Sequence, residues 1–474
     1  MTSADRRIAA GLFVLTFVTY AWFFNGGGWN QNSYLDLVRS IVERRAVNID
    51  PYHGNTGDVS WSRSSGDWHV YINKPPGVAF VGAVPYAFLY AIERVAKIPP
   101  GSWEVLTVNA WLITVFTCGV TGALIPVLLF IHGRRKAGAS PLGALGVALA
   151  VAFGTIVFPY STMLFAHVPA AMFLLLALVL LDERPLLAGV AAGIAGACYY
   201  VSIPVALILL IGAWVRNGPR AALRFGLGGI PFGILLLLYQ FLNFGSPFVT
   251  ATEVSTGFVE KGLLFGVLRL PTLDALWGLT FDDYRGLFFI SPVLLLAFVG
   301  MFRMTRRDLA LLLPIVVFYF VAIASFNQWH GGWAFGPRYI LPVVPLLAIP
   351  MLSLRGRVLG LVGIGLGIFS FGVHLVATAV TPMPPTAIRR PVQEYLVPRF
   401  LAGHTSVNEQ SVDERRPHER YARGSYESTW ASFNLGELLT GPYNSASVLP
   451  IALWVVFGSA MLARACEPKL KIEN

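Results

Sequence analysis

Three charged residues near the start of the chain could do chemistry, because of their types and their surroundings. Asp58 lies in a predicted turn that would project its carboxylate from a loop, and Asp36 lies in a helical pattern. Lys74 stands directly before two prolines and a long apolar segment. A carboxylate can act as a general base, and a lysine held by prolines can bind an anion such as a phosphate. The alternatives are a solvated helix face for Asp36 and a lysine that only snorkels along a membrane edge for Lys74.

Two later arginines extend this set. Arg338 follows the aromatic and glycine-rich stretch FNQWHGGWAFGP, and Arg285 stands in FDDYRGLFFISP; both come just before apolar segments. A guanidinium group pairs with phosphate through two parallel hydrogen bonds, and an arginine at membrane depth is a candidate functional residue. His167 begins another apolar segment, where a structural role is the commoner one. The remaining candidates are His69, Asp282, Asp283 and Glu253.

The composition indicates that these residues are positioned by a membrane protein. Of the 474 residues, 55% are hydrophobic and 13% are charged, whereas soluble domains carry about a quarter charged residues. The mean hydropathy is +0.63. Apolar blocks of roughly 17–28 residues recur along the chain, and a helix of that length crosses about 30 Å of hydrocarbon. The sequence therefore predicts an all-α polytopic membrane protein.

The apolar segments recur from the start of the chain to its last part. Segment 77–95 is bounded by prolines, contains Glu93 and Arg94, and would break the alternation of the loops if it crossed once. We therefore expect it to be a juxtamembrane or re-entrant helix on the outer side, which leaves about 12 crossings, in a range of about 11–13. The other segments cover approximately residues 8–24, 104–131, 141–158, 168–181, 187–203, 204–215, 222–242, 286–302, 309–326, 339–353, 358–380 and 447–463.

The basic loops orient these segments, since Lys and Arg concentrate on the cytoplasmic side of membrane proteins. Both termini are then predicted to be cytoplasmic. The same clustering explains the net charge of +10, so no nucleic-acid partner is expected. Larger regions are predicted to lie outside, at 25–103, 243–285 and 381–446. The loops that carry the basic residues are 132–138, 216–220, 302–308, 354–357 and 463–471.

The motifs that are missing argue against several classes of protein. The sequence contains no GxxxxGK[ST] phosphate loop, no HExxH and no CxxC, which argues against a nucleotide-hydrolysing pump of that type or a zinc peptidase. Cys118, Cys198 and Cys466 do not make a disulfide framework. No cofactor is expected to be required. Scattered carboxylates could hold a divalent metal, but no ligand spacing indicates a metal site.

The first outer region resembles a known family. After the first span, apolar residues follow one helical face of NQNSYLDLVRSIVERR, which predicts a helix on the membrane surface. A polar stretch follows, and then YINKPP, which contains Lys74. This order resembles the C-type membrane glycosyltransferases, which include the bacterial aminoarabinose transferases of lipid A and the protein O-mannosyltransferases. The resemblance implies that Lys74 binds the donor phosphate and that this region carries an essential acid. The opposite face of the helix presents Asp36, Arg39, Ser40 and Glu43, and for Asp36 and Glu43 the alternative to a site role is a solvated face.

The acid is not where the family pattern has it. Aminoarabinose transferases have Asp-Glu, two residues and then Tyr at the start of the helix, whereas this chain has Asn30 and Gln31 before Tyr34. An amide cannot act as a general base, so another carboxylate must serve. Asp58 and Asp36 are the candidates. Asp58 is preferred because an acid on a loop is freer to reach an acceptor.

The order of the segments also resembles the family, which has seven shared spans and a substrate loop after the seventh. Without the juxtamembrane segment, the seventh span here is 222–242. The family's second short outer loop often carries another acid, and the corresponding stretch, PYSTMLFAHVP, offers only His167. The resemblance covers roughly residues 1–350, an expected glycosyltransferase-like module, and residues 351–474 add further spans. The expected substrate loop holds Glu253, Asp282, Asp283 and Arg285.

The resemblance implies a membrane glycosyltransferase in the plasma membrane of a bacterium. It would transfer a sugar from a polyprenyl-phosphate-linked donor to a lipid, glycan or protein acceptor at the outer face. Asp58 or Asp36 would deprotonate the acceptor, while Lys74, Arg338 and Arg285 would neutralise the leaving phosphate. One alternative is a transporter or flippase of lipid-linked saccharides, which usually has acids or broken helices within the membrane. The other is a catalytically inactive relative, which the missing family acid suggests.

Overall fold

The computed structural model describes residues 1–64, 66–255, 257, 260, 263–407, 412 and 432–467, so the predicted outer region 381–446 and the basic tail are covered only in part. The described chain is mainly helical. In chain order its helices are α1 (Ser3–Ala21), α2 (Trp29–Arg39), α3 (Gly77–Ala96), α4 (Trp103–Arg135), α5 (Pro141–Phe153), α6 (Val157–Ser161), α7 (His167–Leu180), α8 (Pro185–Cys198), α9 (Ser202–Asn217), α10 (Pro219–Phe244), α11 (Leu273–Thr280), α12 (Leu287–Ile290), α13 (Pro292–Met301), α14 (Arg306–Ala324), α15 (Arg338–Ser353), α16 (Arg357–Val380), α17 (Val397–Leu401), α18 (Glu437–Thr440) and α19 (Ser445–Ala465).

The helices coincide with the predicted apolar segments. Within the described residues, six are long and apolar enough to cross a membrane: α3, α4, α10, α14, α16 and α19. Shorter apolar helices occupy other predicted segments, namely α5, α7, α8, α9, α13 and α15. The helical class and the architecture of an integral membrane protein are therefore confirmed. The number of crossings stays a prediction.

The predicted cytoplasmic loops meet at one end of the helix bundle. Arg134 pairs with Asp5 at 2.9 Å, which joins the end of α4 to the start of α1. Arg216, near the end of α9, pairs with Asp182 at 3.1 Å and with Asp308 at 3.0 Å, so that it ties the end of α7 to the start of α14. Three basic loops that are far apart in the chain thus share one end, as alternating spans require.

Two short antiparallel strand pairs help to build the predicted outer side. Strand β1 (Phe23–Asn25) follows α1 and pairs with β4 (Ser432–Asn434). Strands β2 (Val59–Ser62) and β3 (His69–Ile72) form a hairpin in which Val59 is opposite Ile72. This hairpin lies between the surface-helix sequence and α3, and it carries two of the candidate site residues at its open end.

Helix α2 is buried on both faces, so the prediction of a solvated face is wrong. Asp36 and Ser40 are 0% exposed, and the side chains of Arg39 and Glu43 are each 12% exposed. Helix α3, strand β3 and the turn His53–Asn55 all pack against α2. The apolar spacing identified one buried face correctly. It could not indicate that the polar remainder of the same outer region folds over the other face.

Helix α3 runs alongside α2. Gly82 of α3 lies against Val38 of α2, and the Tyr86 hydroxyl donates to Glu43 at 2.7 Å, just beyond the end of α2. The other face of α3 exposes apolar side chains spaced four residues apart, at Phe80, Val84, Phe88 and Ile92. Contacts with the first outer region favour the predicted juxtamembrane helix, with this apolar stripe towards lipid. Because α3 also has the length of a span, its placement stays a prediction.

The C-terminal part of the chain packs on the N-terminal part. Besides the β1–β4 pairing, the Leu435 amide donates to the Trp22 carbonyl at 2.9 Å, and Gly458 of α19 lies against Leu15 of α1. The predicted boundary at residue 350 therefore separates two parts of the chain that are in contact. The assignment of a glycosyltransferase-like module to residues 1–350 stays a prediction.

Candidate active site

The hairpin brings Asp58 and Lys74 together. Their side chains form an ion pair at 2.5 Å, and they are 13% and 12% exposed respectively. The pairing of Val59 with Ile72 explains this contact, because Asp58 directly precedes β2 and Lys74 follows β3, at the same open end of the hairpin. The Lys74 ammonium also lies 5.4 Å from the centre of the Tyr34 ring. Asp58 is thus an inward-facing partner of Lys74, and the expectation that it projects freely from a loop is wrong.

The turn that precedes Asp58 is bonded to the first turn of α2. Thr56 donates its hydroxyl to the Trp29 carbonyl at 2.7 Å, and the same hydroxyl accepts the Asp58 amide at 3.1 Å. Asn30 lies next to Trp29 and one helical turn before Tyr34, on the same face of α2. Its buried side-chain oxygen accepts no hydrogen bond from the described residues. The turn that carries Asp58 therefore adjoins the helix turn where the family pattern has its acid.

Asp36 belongs to a different network. It is 0% exposed and accepts a hydrogen bond from the Asn55 side chain at 3.3 Å. Burial acts to lower the pKa of Arg39, but Glu43 and then Asp36 outweigh it and raise that pKa. Asp36 thus acts electrostatically on Arg39. By contrast, Asp58 forms an ion pair with Lys74 and acts to raise its pKa, so these contacts favour Asp58 as the acid of the site.

A tight turn of two glycines links Arg338 and Arg285. Gly331 and Gly332 both have positive φ, +75° and +66°. A side chain at Gly331 would meet Arg338, whose Cγ and Nε would be only 3.1 Å from its Cβ. The carbonyl of Gly332 accepts a hydrogen bond from Nη2 of Arg285 at 3.2 Å. His330 closes the turn by accepting the Gly332 amide at 3.1 Å.

Neither arginine has an acidic partner in the described part of the chain. Arg285 is 0% exposed, its Nε and Nη1 have no hydrogen-bond partner there, and its guanidinium lies 4.2 Å from the Tyr284 ring centre. The acids beside it are engaged elsewhere: Asp282 accepts the Tyr284 amide at 2.8 Å, and Asp283 pairs with Arg390 at 2.9 Å. The predicted acids of the substrate loop therefore do not neutralise Arg285.

Arg338 acts electrostatically on both Lys74 and Arg285. Burial lowers the pKa of Lys74, the ion pair with Asp58 acts to raise it, and the charge of Arg338 lowers it further. Burial also lowers the pKa of His330, with additional contributions from Arg285 and Arg338. The three cations thus form one positively charged region, in which Asp58 is the carboxylate in ion-pair contact. Such a region is suited to an anionic ligand.

His167 adjoins the same region. It is 4% exposed, and neither ring nitrogen has a hydrogen-bond partner among the described residues. Its ring centre lies 4.9 Å from that of Tyr199, 5.8 Å from that of Phe165 and 5.7 Å from that of Tyr339. The guanidinium of Arg338 stacks on two of the same rings, Phe165 at 5.0 Å and Tyr339 at 5.1 Å. The histidine that begins α7 is therefore brought beside a predicted phosphate-binding arginine.

The loop after α10 docks on the hairpin. Thr252 donates to the Asn73 carbonyl at 2.9 Å, and Ser60 donates to the Ala251 carbonyl at 2.6 Å. These bonds place Glu253 on a segment that lies against the residue before Lys74. His69, in contrast, has its own partner, because its Nδ1 lies 2.7 Å from the Asp50 carboxylate, and both side chains are about a third exposed (30% and 34%).

The sequence did not indicate the Asp58–Lys74 pair or the place of His330 between the arginines. The pair joins residues 16 positions apart. The alternating pattern of VSWS and HVYI on either side of a polar turn could have predicted the hairpin, and with it the pairing. Among the described residues, no group of three or more His, Cys, Asp or Glu side chains could hold a metal ion.

Comparisons with known proteins support the resemblance at the level of fold. No protein-family model matches the sequence, and no curated protein matches it significantly. The fold is similar to that of two solved structures of one membrane glycosyltransferase. It is similar to the crystal structure of ArnT from Cupriavidus metallidurans in the apo state, with a TM-score of 0.51 and 16% identity, over 97% of this chain and 76% of that chain. ArnT bound to undecaprenyl phosphate matches with a TM-score of 0.50 and 15% identity, over the same 97% and 76%.

Proposed function

We propose that this protein transfers a sugar from a polyprenyl-phosphate-linked donor to an acceptor hydroxyl or other nucleophile of a lipid, glycan or protein. The observation that carries the proposal is the Asp58–Lys74 pair, set against the first turn of α2 and beside Arg338. An acid and a phosphate-binding cation are the two parts that such a transfer needs. The similarity of fold to a protein whose structure contains undecaprenyl phosphate supports the choice of donor.

In this mechanism Asp58 takes the place of the acid that Asn30 cannot supply. Its ion pair with Lys74 holds the carboxylate in the site, where it accepts the proton of the acceptor. When the donor binds, its phosphate lies against Lys74, Arg338 and Arg285, which stabilise the negative charge on the leaving group. The His167 imidazole forms one further hydrogen bond with the bound sugar donor. No cofactor enters this mechanism.

The active site is proposed to face outward, with both termini in the cytoplasm of a bacterial cell. The basic loops that meet at one end of the bundle support this orientation, since the candidate site is built from loops at the opposite ends of the same helices. A donor linked to a membrane lipid would reach the site along the bilayer. The apolar stripe of α3 would face the same lipid.

The direct test is transfer by purified protein in lipid nanodiscs. The protein is incubated with a panel of radiolabelled polyprenyl-phosphate sugars and with extracted membranes as the source of acceptors. Transfer of label from at least one donor is expected, and the Asp58→Asn variant should lose it while still binding undecaprenyl phosphate. Transfer that is unchanged in Asp58→Asn would remove this residue from the mechanism.

The second candidate is a catalytically inactive relative, and the amide at position 30 favours it. Such a protein would bind lipid phosphate through Lys74, Arg338 and Arg285 and would transfer nothing. Replacing Asn30 with Asp distinguishes the two cases. An inactive relative would gain transfer in Asn30→Asp, whereas a transferase that uses Asp58 would already be active with Asn30. A flippase would move lipid-linked saccharide between leaflets of reconstituted vesicles without breaking its glycosidic bond.

A further inference from the structure

We propose that Arg285 recognises the second negative charge that develops on the lipid phosphate as the sugar leaves it. The site would then bind the phosphate monoester, which is the product, more tightly than a phosphate diester, which is the donor. This inference rests on the proposed function, because it concerns the leaving group of that reaction. It assigns Arg285 a task different from that of Lys74 and Arg338.

The first argument is the match between charges. Lys74 is paired with Asp58 at 2.5 Å, which leaves Arg338 and Arg285 without an acidic partner in the described ranges. A sugar-phosphate diester carries one negative charge and matches one of these two cations. A phosphate monoester carries about 1.5 to 2 negative charges at neutral pH, because its second pKa is about 6. The two unmatched positive charges therefore balance the charge of the product, whereas they exceed the single charge of the donor.

The second argument is the geometry of the two guanidinium groups. They contact consecutive residues of one turn: Arg338 packs against Gly331, and Arg285 donates to the Gly332 carbonyl at 3.2 Å. Consecutive Cα atoms are about 3.8 Å apart. Both groups also act on His330, whose Nδ1 holds the same turn. The same turn thus positions both arginines, and the inference places one phosphate against both of them.

The third argument distinguishes the two arginines. The Arg338 guanidinium lies 5.0 Å from the Phe165 ring centre and 5.1 Å from that of Tyr339, beside His167, whereas the Arg285 guanidinium lies 4.2 Å from the Tyr284 ring centre. Arg285 is 0% exposed and keeps Nε and Nη1 free of hydrogen bonds to the described residues. An unpaired buried cation is costly to maintain. Its cost is offset most when a full extra charge develops beside it.

The reaction supplies that charge. The bond between the anomeric carbon and the phosphate oxygen breaks, and its electron pair stays on the oxygen. The acceptor oxygen forms the new bond to the same carbon, and its proton moves to the Asp58 carboxylate. The lipid phosphate thus ends with one more negative charge than the donor had. A guanidinium already in place for this charge stabilises the transition state more than the bound donor, which raises turnover.

The experiment compares two lipids that differ in this charge and in one methyl group. Undecaprenyl phosphate and its monomethyl ester are titrated onto full-length protein in nanodiscs at about pH 7.5, where the first carries close to two charges and the second carries one. Wild type should bind the monoester at least about tenfold more tightly than the methyl ester. Arg285→Gln should bring this ratio close to one, because it weakens binding of the monoester much more than binding of the methyl ester. Arg285→Lys should keep part of the ratio.

A matched control is Arg390→Gln, which removes an arginine that is 58% exposed and paired with Asp283. This variant should keep the wild-type ratio. A wild-type ratio of one overturns the inference, and so does an Arg285→Gln variant that weakens both lipids equally or leaves the ratio intact. Sugar transfer together with a wild-type ratio of one would remove the inference alone. A high, Arg285-dependent ratio without transfer from any donor would remove the proposed transferase and keep the charge discrimination.

Discussion

Two clusters of buried charge occur on the predicted outer side, and they differ in how their charges are matched. In the closed cluster, Glu43 accepts hydrogen bonds from Arg39 at 2.9 Å and Tyr86 at 2.7 Å on one oxygen, and from Tyr52 at 3.0 Å on the other. The Arg39 guanidinium also lies 4.0 Å from the Tyr52 ring centre. Here each strong donor meets an acceptor, and the cluster fixes the end of α2 against α3.

The open cluster contains more positive than negative groups. Of its three cations, the described residues give only Lys74 an acidic partner, and the ring nitrogens of His167 lack hydrogen-bond partners in the same part of the chain. Its members are Asp58, Lys74, His167, Arg285 and Arg338. Burying an unpaired charge costs several kcal/mol, so a fold retains one where a ligand supplies the missing charge. The comparison teaches that unmatched buried charge, rather than buried charge as such, identifies the candidate site.

The largest effect is expected for Asp58→Asn. The amide keeps the size of the side chain but cannot accept the proton, so turnover should fall by about 10²- to 10⁴-fold with donor binding little changed. Single-turnover transfer and lipid binding would be measured on the same preparation.

The matched control for this prediction is Asp36→Asn in the other network. It should change turnover by less than about tenfold, because Asp36 acts on Arg39 rather than on the lysine of the site. The reverse ranking would move the base to Asp36 and would make the closed cluster part of the active site.

The next effect concerns binding. Arg338→Gln should weaken binding of undecaprenyl phosphate by about 10- to 100-fold, the range for losing hydrogen bonds between charged groups. The same change should leave the thermal unfolding temperature unchanged or raise it, because it removes a cation without an acidic partner among the described residues. A loss of stability without a loss of binding would mean that Arg338 is a structural residue.

The closed cluster should behave in the opposite way. Glu43→Gln removes the countercharge of Arg39, whose side chain is 12% exposed, and should lower the free energy of unfolding by about 1–3 kcal/mol. Thermal unfolding in detergent measures this, with the affinity for undecaprenyl phosphate as the second readout. Because the two clusters are separate networks, that affinity should remain within about twofold of wild type. A large loss of affinity would show that the clusters are coupled.

Much of the fold could be predicted from the sequence, because the rules of the membrane act on each segment separately. The length of an apolar block and the position of Lys and Arg are local properties, and they located the helices to within a few residues and grouped the basic loops. The burial of α2 could not be predicted in this way. It depends on the hairpin, α3 and the turn at Asn55 folding over it, and these are contacts between distant segments.

The candidate site divides along the same line. Lys74 and Arg338 were found from their types and their positions beside apolar segments. The partner of Lys74 and the shared turn of the two arginines depend on tertiary structure: Asp58 is 16 residues away along the chain, and Gly332 is 47 residues from Arg285. The sequence placed Asp36 in a helix and Asp58 in a turn, but it could not indicate which cation each carboxylate reaches.

The smallest expected effect is the pH dependence of stability that His330 adds to the open cluster. Burial lowers the pKa of this side chain from its ordinary value of 6.5, and Arg285 and Arg338 lower it further. Well above pH 6.5 the imidazole is neutral in both the folded and the unfolded chain, so its titration does not change the free energy of unfolding. As the pH falls through it, the unfolded chain takes up a proton that the folded chain resists, so the folded state loses stability until its own pKa is reached. His330→Gln should lack this loss, which is under about 1 kcal/mol for a partly exposed group, and unfolding temperatures at about pH 7.5 and 5.5 would measure it.

Undecaprenyl phosphate bound to the two arginines should raise the pKa of His330 and so reduce the acid sensitivity of the wild type beyond the stabilisation seen at neutral pH. The same lipid should have no such effect in Arg338→Gln, and equal pH profiles of the wild type with and without lipid would place the anion away from the Gly331–Gly332 turn.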